Sequence, residues 1–417
     1  MSIREREGDR RIRLERSVRI EDREERPGVM TRYSNAQRAW FISDQHIGAG
    51  GITDDTIGMF PSIETQLWGF VEYLNWCNAQ PRTHDQVILG DFGDYWDQSQ
   101  DLPHVRYAEN IYRQHPKAFE ALKQFQGDLY IIRGNHDDVI ANELGRLIGH
   151  PRTVISDKYR NSTLRIYAEH GHQFDEDNQE GINSMGYRLV RDIIQKWEKR
   201  IPNIDNIRPM EYDNLRAFVE REIIDPKIRE ELRQDLIEFA KREAPWYAPS
   251  FLVGEGSVRS RLREDREDKL DKLADRINDV YDDEASPNYK PCIFIFGHSH
   301  IPEYYGDHSF DPPQRAASGL TRKMAYINTG AWTPTLFISS RGEYASPQPL
   351  QSMRPFACVR GGPEGIYADL YRFNYYPCIP PGDATDSFDT GDMDRTYKLF
   401  GLRLSNDEEI FWDEMDL

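Results

Sequence analysis

Asp44 and His46 close the run Phe41-Ile-Ser-Asp-Gln-His46, in which an apolar stretch passes directly into a carboxylate and an imidazole. That pair suits a divalent ion of the Mn, Fe or Zn type better than Ca or Mg. A single Asp-x-His arises by chance in many chains. Here four further blocks follow in order, each behind a candidate strand: Gly90-Asp91-Phe-Gly-Asp94, Gly134-Asn135-His136-Asp137, His170-Gly171-His172 and Gly297-His298-Ser-His300. Taken singly, each block reads as a loop, a turn or a surface pair. Six of the eleven histidines (46, 136, 170, 172, 298 and 300) fall inside the blocks, which favours a common purpose.

Asp44, His46, Asp91, Asn135, His170, His298 and His300 together offer two carboxylates, one amide oxygen and four imidazoles. One ion would be over-supplied by this set. Two ions sharing a carboxylate would each receive about four donors, leaving places for water and substrate oxygens. Two-metal sites of this kind clamp both the attacking and the leaving oxygen of an in-line displacement. A shared water acidified by the ions supplies hydroxide near neutral pH. A nearby imidazolium then neutralises the leaving oxygen. A carboxylate on its other ring nitrogen, from Asp94 or Asp137, fixes tautomer and orientation.

The elements that must position these residues are legible. Strands are predicted over 39–43, 86–89, 129–132, 164–168, 292–296 and 324–327, with a further one at 335–339. Each of the first five precedes a ligand block. Ile63, Leu67, Phe70, Val71 and Leu74 form one helical face over 62–78, and a helical region is expected over about 106–126. Ligands gathered at the carboxyl ends of strands with helices between argue for layered α/β packing.

Residues 180–290 break this rhythm. Val190, Ile193, Ile194 and Trp197, then Ile228, Leu232, Leu236 and Phe239, then Leu270, Leu273, Ile277 and Tyr281, repeat at helical spacing. About four helices are expected, with charged outer faces, acting as packed decoration, as a cap over the substrate or as a surface for a homo-oligomer or protein partner. The run Arg259-Ser-Arg-Leu-Arg263 reads as a solvated face or a phosphate contact. Residues 341–417 read as irregular, with late strands at 366–373 and 396–404.

The chain has 417 residues and a net charge of −18, which argues against an obligate grip on nucleic acid. Its first 30 residues mix nine arginines with eight acidic residues, the mark of a solvated arm or, alternatively, a nucleic-acid or partner contact. No apolar run approaches the ~18 residues needed to span a bilayer, and no secretory signal is evident at the N-terminus. Cys77, Cys292, Cys358 and Cys378 are widely spaced, as reduced thiols of a cytoplasmic protein would be.

At the five blocks the chain resembles the calcineurin-like metallophosphoesterase superfamily. The likeness spans about residues 38–335, less the insertion. It implies an α/β fold, a four-layer αββα sandwich of two mixed sheets. With the composition and periodicity above, five regions are expected: an arm (1–30), a core in two parts (31–180 and 291–340), a helical insertion (181–290) and a C-terminal extension (341–417). The resemblance implies two divalent transition metals, manganese before iron or zinc. Asp44, His46, Asp91 and His300 would hold the first. Asp91 would bridge to the second, completed by Asn135, His170 and His298. His136 would serve the leaving oxygen, with Asp94 as its orienting partner and Asp137 structural.

His172 would touch substrate phosphate or support a ligand, and Arg133 would bind phosphate or form an ion pair at the sheet edge. The implied activity is hydrolysis of a phosphate mono- or diester, on a phosphorylated small molecule or nucleotide. The alternatives are a nuclease of the Mre11 type acting on DNA or RNA, and a catalytically silent scaffold. Tyr95 stands where the superfamily's protein Ser/Thr phosphatases carry arginine, which disfavours that branch. Pro302 matches the UDP-diacylglucosamine pyrophosphatases, but His136 stands where they carry arginine.

Overall fold

The computed structural model describes residues 37–49, 63–77, 84–96, 102–175, 178–198, 200, 225–243, 277–299, 302–305, 324–332, 354–362, 365–373, 396–405 and 410–412. The N-terminal arm, His300, the strand expected at 335–339, the 259–263 run and the Leu270–Leu273 part of the last expected insertion helix lie outside the described residues.

Among the described residues, thirteen strands form two mixed sheets. The first strand, β1 (Arg38–Ile42), is buried throughout. It pairs in parallel with β2 (His84–Leu89), which continues to β3 (Asp128–Ile132) and to β4 (Thr153–Ser156). The second sheet holds β5 (Tyr159–Asn161), β6 (Ile166–Ala168), β7 (Ile293–Phe296), β8 (Pro302–Tyr305) and β9 (Ala325–Thr329), in the order β5-β6-β7-β9-β8. The C-terminal extension is part of the larger sheet. The strands β10 (Pro355–Gly362), β11 (Gly365–Phe373), β12 (Thr396–Ser405) and β13 (Ile410–Trp412) run antiparallel from the free side of β1, giving the order β13-β12-β11-β10-β1-β2-β3-β4.

Strand alternation explains the layers. Along β1, Ala39 and Phe41 point one way and Trp40 and Ile42 the other. Ala39, Phe41, Val87 and Leu89 join Ile166, Ala168, Ile293, Ile295 and Ile327 in one apolar cluster drawn from both sheets. Trp40, Ile42 and Ile88 face helices α1 (Ile63–Cys77), α2 (His104–Gln114), α3 (Pro116–Lys123) and α4 (Ala141–Ile148) on the outer side. Tyr167, Phe294, Phe296 and Tyr326 cover the far face of the smaller sheet with Ile277 and Val280 of a helix at 277–284. The order is helix, sheet, sheet, helix. Strands buried on both faces read as continuous apolar runs, which is why β1, β2 and β7 were conspicuous in the sequence.

The helical region expected over 106–126 is two helices. His115, before Pro116, has φ −124°, because the proline ring disfavours the α region for the residue ahead of it. Within residues 181–290, expected as an insertion, a continuous helix, α5, is made of Met185–Leu189, a π-helical turn Val190–Ile194 and Gln195–Glu198. It packs its buried Ile193, Ile194 and Trp197 near α6 (Pro226–Glu243), whose inner face carries Leu232, Leu236 and Phe239. Trp197 donates its indole N–H to Asp235 at 2.7 Å.

Candidate metal centre

The carboxyl ends of β1, β2 and β3 in one sheet and of β6 and β7 in the other open on the same place. Asp44 and His46 follow β1, Asp91 follows β2, Asn135 follows β3, His170 follows β6 and His298 follows β7. The two sheets are tied there by Ser43, whose hydroxyl lies 2.7 Å from the Thr329 hydroxyl and donates to the Gly330 carbonyl. The backbone is bent to aim the side chains. Asp44, His46, Asp91 and His298 all have positive φ, at 54°, 47°, 52° and 66°. Left-handed backbone at four non-glycine residues is costly and persists where surrounding structure enforces it, commonly at functional sites.

Both carboxylates are divided between structure and centre. Asp44 Oδ2 accepts the backbone N–H of His298 at 3.0 Å, and Asp91 Oδ1 accepts that of His136 at 2.9 Å. The remaining oxygens, Asp44 Oδ1 and Asp91 Oδ2, each stand 3.7 Å from His46 Nε2. Asp91 Oδ2 also stands 3.1 Å from His170 Nε2, which is 3.0 Å from Asn135 Oδ1.

The imidazoles are held from behind. His170 Nδ1 donates to the Leu89 carbonyl at 2.6 Å, so Nε2 is turned toward Asp91. Asp94 receives two rings at once: His136 Nδ1 at 2.7 Å on Oδ1 and His46 Nδ1 at 3.1 Å on Oδ2. A partner on the far ring nitrogen is the usual way a ligating or acid–base histidine is oriented. Asp137 accepts the N–H groups of Gly134 and Phe92, both at 2.8 Å, and so shapes the turn rather than the centre.

The charges follow from these contacts. Burial opposes ionisation of Asp91, but the imidazoles of His170, His136 and His46 outweigh it and hold the carboxyl below its usual range. Asp94 is likewise held well below that range, burial being overcome by His136 and His46. Burial disfavours charge on His170 too, yet Asp91 and Asp44 push it up to about 10. Burial and the neighbouring Asp91 charge raise Asp137 to about 7. Burial and the charges of His170 and His298 lower His172 to about 3.

A pair of cations fits this donor set. Ligand atoms of His46, Asp91 and His136 lie within 4.8 Å of one another, and so do those of Asp91, His170 and His298. Asp91 belongs to both groups. Close approach is built in at Gly134, where a Cβ would come 2.1 Å from Asp91 Oδ1, and at Gly297, where one would come 2.7 Å from Asp44 Oδ2.

Most residues singled out in the sequence converge here. His172 is at the rim, with its ring 5.4 Å from that of His170 and its Nδ1 buried without a hydrogen-bond partner among the described residues. Arg133 does not join the cluster. Its guanidinium donates to Asp157 at 2.7 Å and to Asn142 at 3.2 Å, the ion pair at the sheet edge. His136, expected beside the ligands rather than among them, sits edge-on to His46 with ring centroids 4.6 Å apart.

Two residues were not singled out. Trp96 stacks on His136, its centroid 3.9 Å away, and Tyr187 of α5 packs against its edge. Asp175 Oδ2 lies 3.0 Å from His298 Nε2. A bulky aromatic two residues past Asp94, and a carboxylate five past His170, were the only signals.

No curated protein matches the chain. A solved structure of a conserved uncharacterised protein from Streptococcus pneumoniae TIGR4, titled a predicted phosphoesterase, is 11% identical, with 83% of this chain and 95% of that chain covered at a TM-score of 0.27. The family model of the calcineurin-like phosphoesterases matches residues 37–302, which takes in every strand end that feeds the cluster. The chain belongs to the calcineurin-like phosphoesterase family.

Proposed function

We propose that the chain is a dinuclear metal-dependent phosphoesterase that hydrolyses a phosphate mono- or diester. One observation carries this reading: Asp91 belongs to both donor groups, which is the position of a bridging carboxylate. Asp44, His46 and Asp91 would hold one ion, with His300 as a further ligand by family pattern. Asp91, Asn135, His170 and His298 would hold the other. The imidazole-rich set suits manganese, iron or zinc.

Two such ions, when bound, neutralise phosphoryl charge and acidify a water for in-line attack. The chain's own residues do the rest. His136 has Nδ1 committed to Asp94, so its proton for the leaving oxygen is carried at Nε2. Asp94, held ionised, accepts at Oδ1 from His136 Nδ1 and so fixes the orientation of that ring. Trp96 covers one face of the His136 ring and shields it from water.

The net charge of −18 supports a phosphorylated small molecule or nucleotide over a nucleic-acid strand. Cys292 and Cys358, both buried thiols, support a reducing, cytoplasmic setting. Among the described residues, no helix is long and apolar enough to cross a membrane.

The test is a substrate panel with added manganese: an aryl phosphomonoester, a bis-aryl phosphodiester and labelled DNA. Turnover of the small esters with little DNA cleavage is expected. Cleavage of DNA alone would move the substrate to nucleic acid, and inactivity on all three with metal bound would overturn the enzymatic reading.

A further inference from the structure

We propose that Asp175 is a positioning residue for His298, through which the start of the helical insertion controls the second metal position. This rests on the dinuclear reading above. His298 is fixed at two points. Its backbone N–H donates to Asp44 Oδ2 at 3.0 Å, and its ring Nε2 faces Asp175 Oδ2 at 3.0 Å. A carboxylate accepts, so the proton resides on Nε2 and the lone pair on Nδ1. Nδ1 is therefore the nitrogen available to a cation. The carboxylate also makes the imidazole a stronger donor.

Asp175 is itself held. Asn178 donates its side-chain N–H to the same Oδ2 at 2.7 Å, and the N–H groups of Asn178 and Gln179 bond the Asp175 carbonyl at 2.9 and 2.8 Å. Asn178 is in turn seated against α5. At Gly186 a Cβ would come 2.1 Å from Asn178 Oδ1 and 3.2 Å from the Trp96 ring. The next residue, Tyr187, packs on Trp96, which stacks on His136. One short segment thus supports His298 through Asp175 and His136 through Trp96, on the two sides of the centre.

The test measures Mn(II) binding to metal-free protein by competition with a fluorescent chelator, together with the melting temperature of the metal-free form. Full-length wild type, Asp175→Ala, Asp175→Asn and Asn178→Ala are compared. In wild type two ions are expected. In Asp175→Ala one site should weaken ~10–100-fold, the usual cost of losing such a support. The other site and the metal-free melting temperature should hold. Asp175→Asn keeps the shape but not the charge, and Asn178→Ala loosens Asp175 without touching His298, so both should fall in between.

Two sites of wild-type strength in all three variants would overturn the proposal, as would parallel weakening of both sites with a lowered melting temperature. Wild type that binds fewer than two ions would overturn the dinuclear reading itself, and this proposal with it.

Discussion

Asp94 Oδ1 stands 2.7 Å from His136 Nδ1, and the other oxygen of the same carboxylate reaches His46 Nδ1 at 3.1 Å. On the proposed reading, Asp94 therefore supports both the leaving-group acid and a metal ligand. We expect His136→Ala to lower kcat by ~10²–10⁴, the usual contribution of a positioned acid–base group, with metal content unchanged. Asp94→Ala should lower kcat at least as far and also weaken one ion, because His46 loses its anchor. Parallel kinetics and metal analysis of the two variants check this. Equal metal loss in both would mean that His136 is chiefly a ligand, as its grouping with His46 and Asp91 allows.

Trp96 gives a milder case. Stacked aromatic pairs contribute ~0.5–1.5 kcal/mol beyond burial, which corresponds to roughly a tenfold effect or less on a ring that must be held in place. Trp96→Leu should lower kcat by about that factor, with both ions retained. Steady-state kinetics at saturating manganese would show it, and a loss of a hundredfold or more would mean that Trp96 does more than hold the ring.

Gly134 tests the close packing of the centre. A methyl group there would sit 2.1 Å from Asp91 Oδ1, so Gly134→Ala must push the shared carboxylate aside. Loss of both ions and of turnover is expected, while circular dichroism stays that of the wild type. Retained activity would show that Asp91 is not held where these contacts put it.

Away from the centre, neighbouring residues at the start of β2 oppose each other in pH dependence. Burial, aided by the charge of Arg38, lowers His84 from its ordinary 6.5 to about 4. The unfolded chain takes up that proton first, so the contribution of His84 is full above pH 6.5 and is lost as pH falls toward 4. Burial raises Asp85 from 3.8 to about 6, although the hydroxyl of Tyr159 donates to it at 2.6 Å. The folded chain holds that proton longer, so the contribution of Asp85 is full below pH 4 and is lost as pH rises toward 6. The two slopes largely cancel in wild type. Asp85→Asn should be the more stable protein at pH 7, by up to ~3 kcal/mol for a shift of about two pKa units. It should lose stability more steeply than wild type between pH 6.5 and 4. Urea unfolding across that range checks this, and parallel curves would contradict it.

The ligand strands and their order could be read from the sequence because parallel strands buried on both faces are uninterrupted apolar runs, and each ends in a polar block that has no reason to be there otherwise. The face of α1 was equally plain from its period. Other features left weaker marks. The strand β10 lies between β1 and β11 with register Phe41↔Ala357 and Trp40↔Cys358, but no ligand block follows it, and proline and glycine stand at its ends. The short edge strands β4 and β5 have too few residues to set a period. The supports Asp175 and Trp96 act through tertiary contacts that no local pattern encodes. Arg133 shows the converse: a cation next to a metal block is drawn to the nearer acceptors Asp157 and Asn142.

The shared role of Asp91 is tested most directly by equilibrium manganese binding to wild type and Asp91→Asn, counting ions per chain. Two ions in wild type and the loss of both in the variant are expected. One ion or none in wild type, or two retained by Asp91→Asn, would contradict the bridged pair.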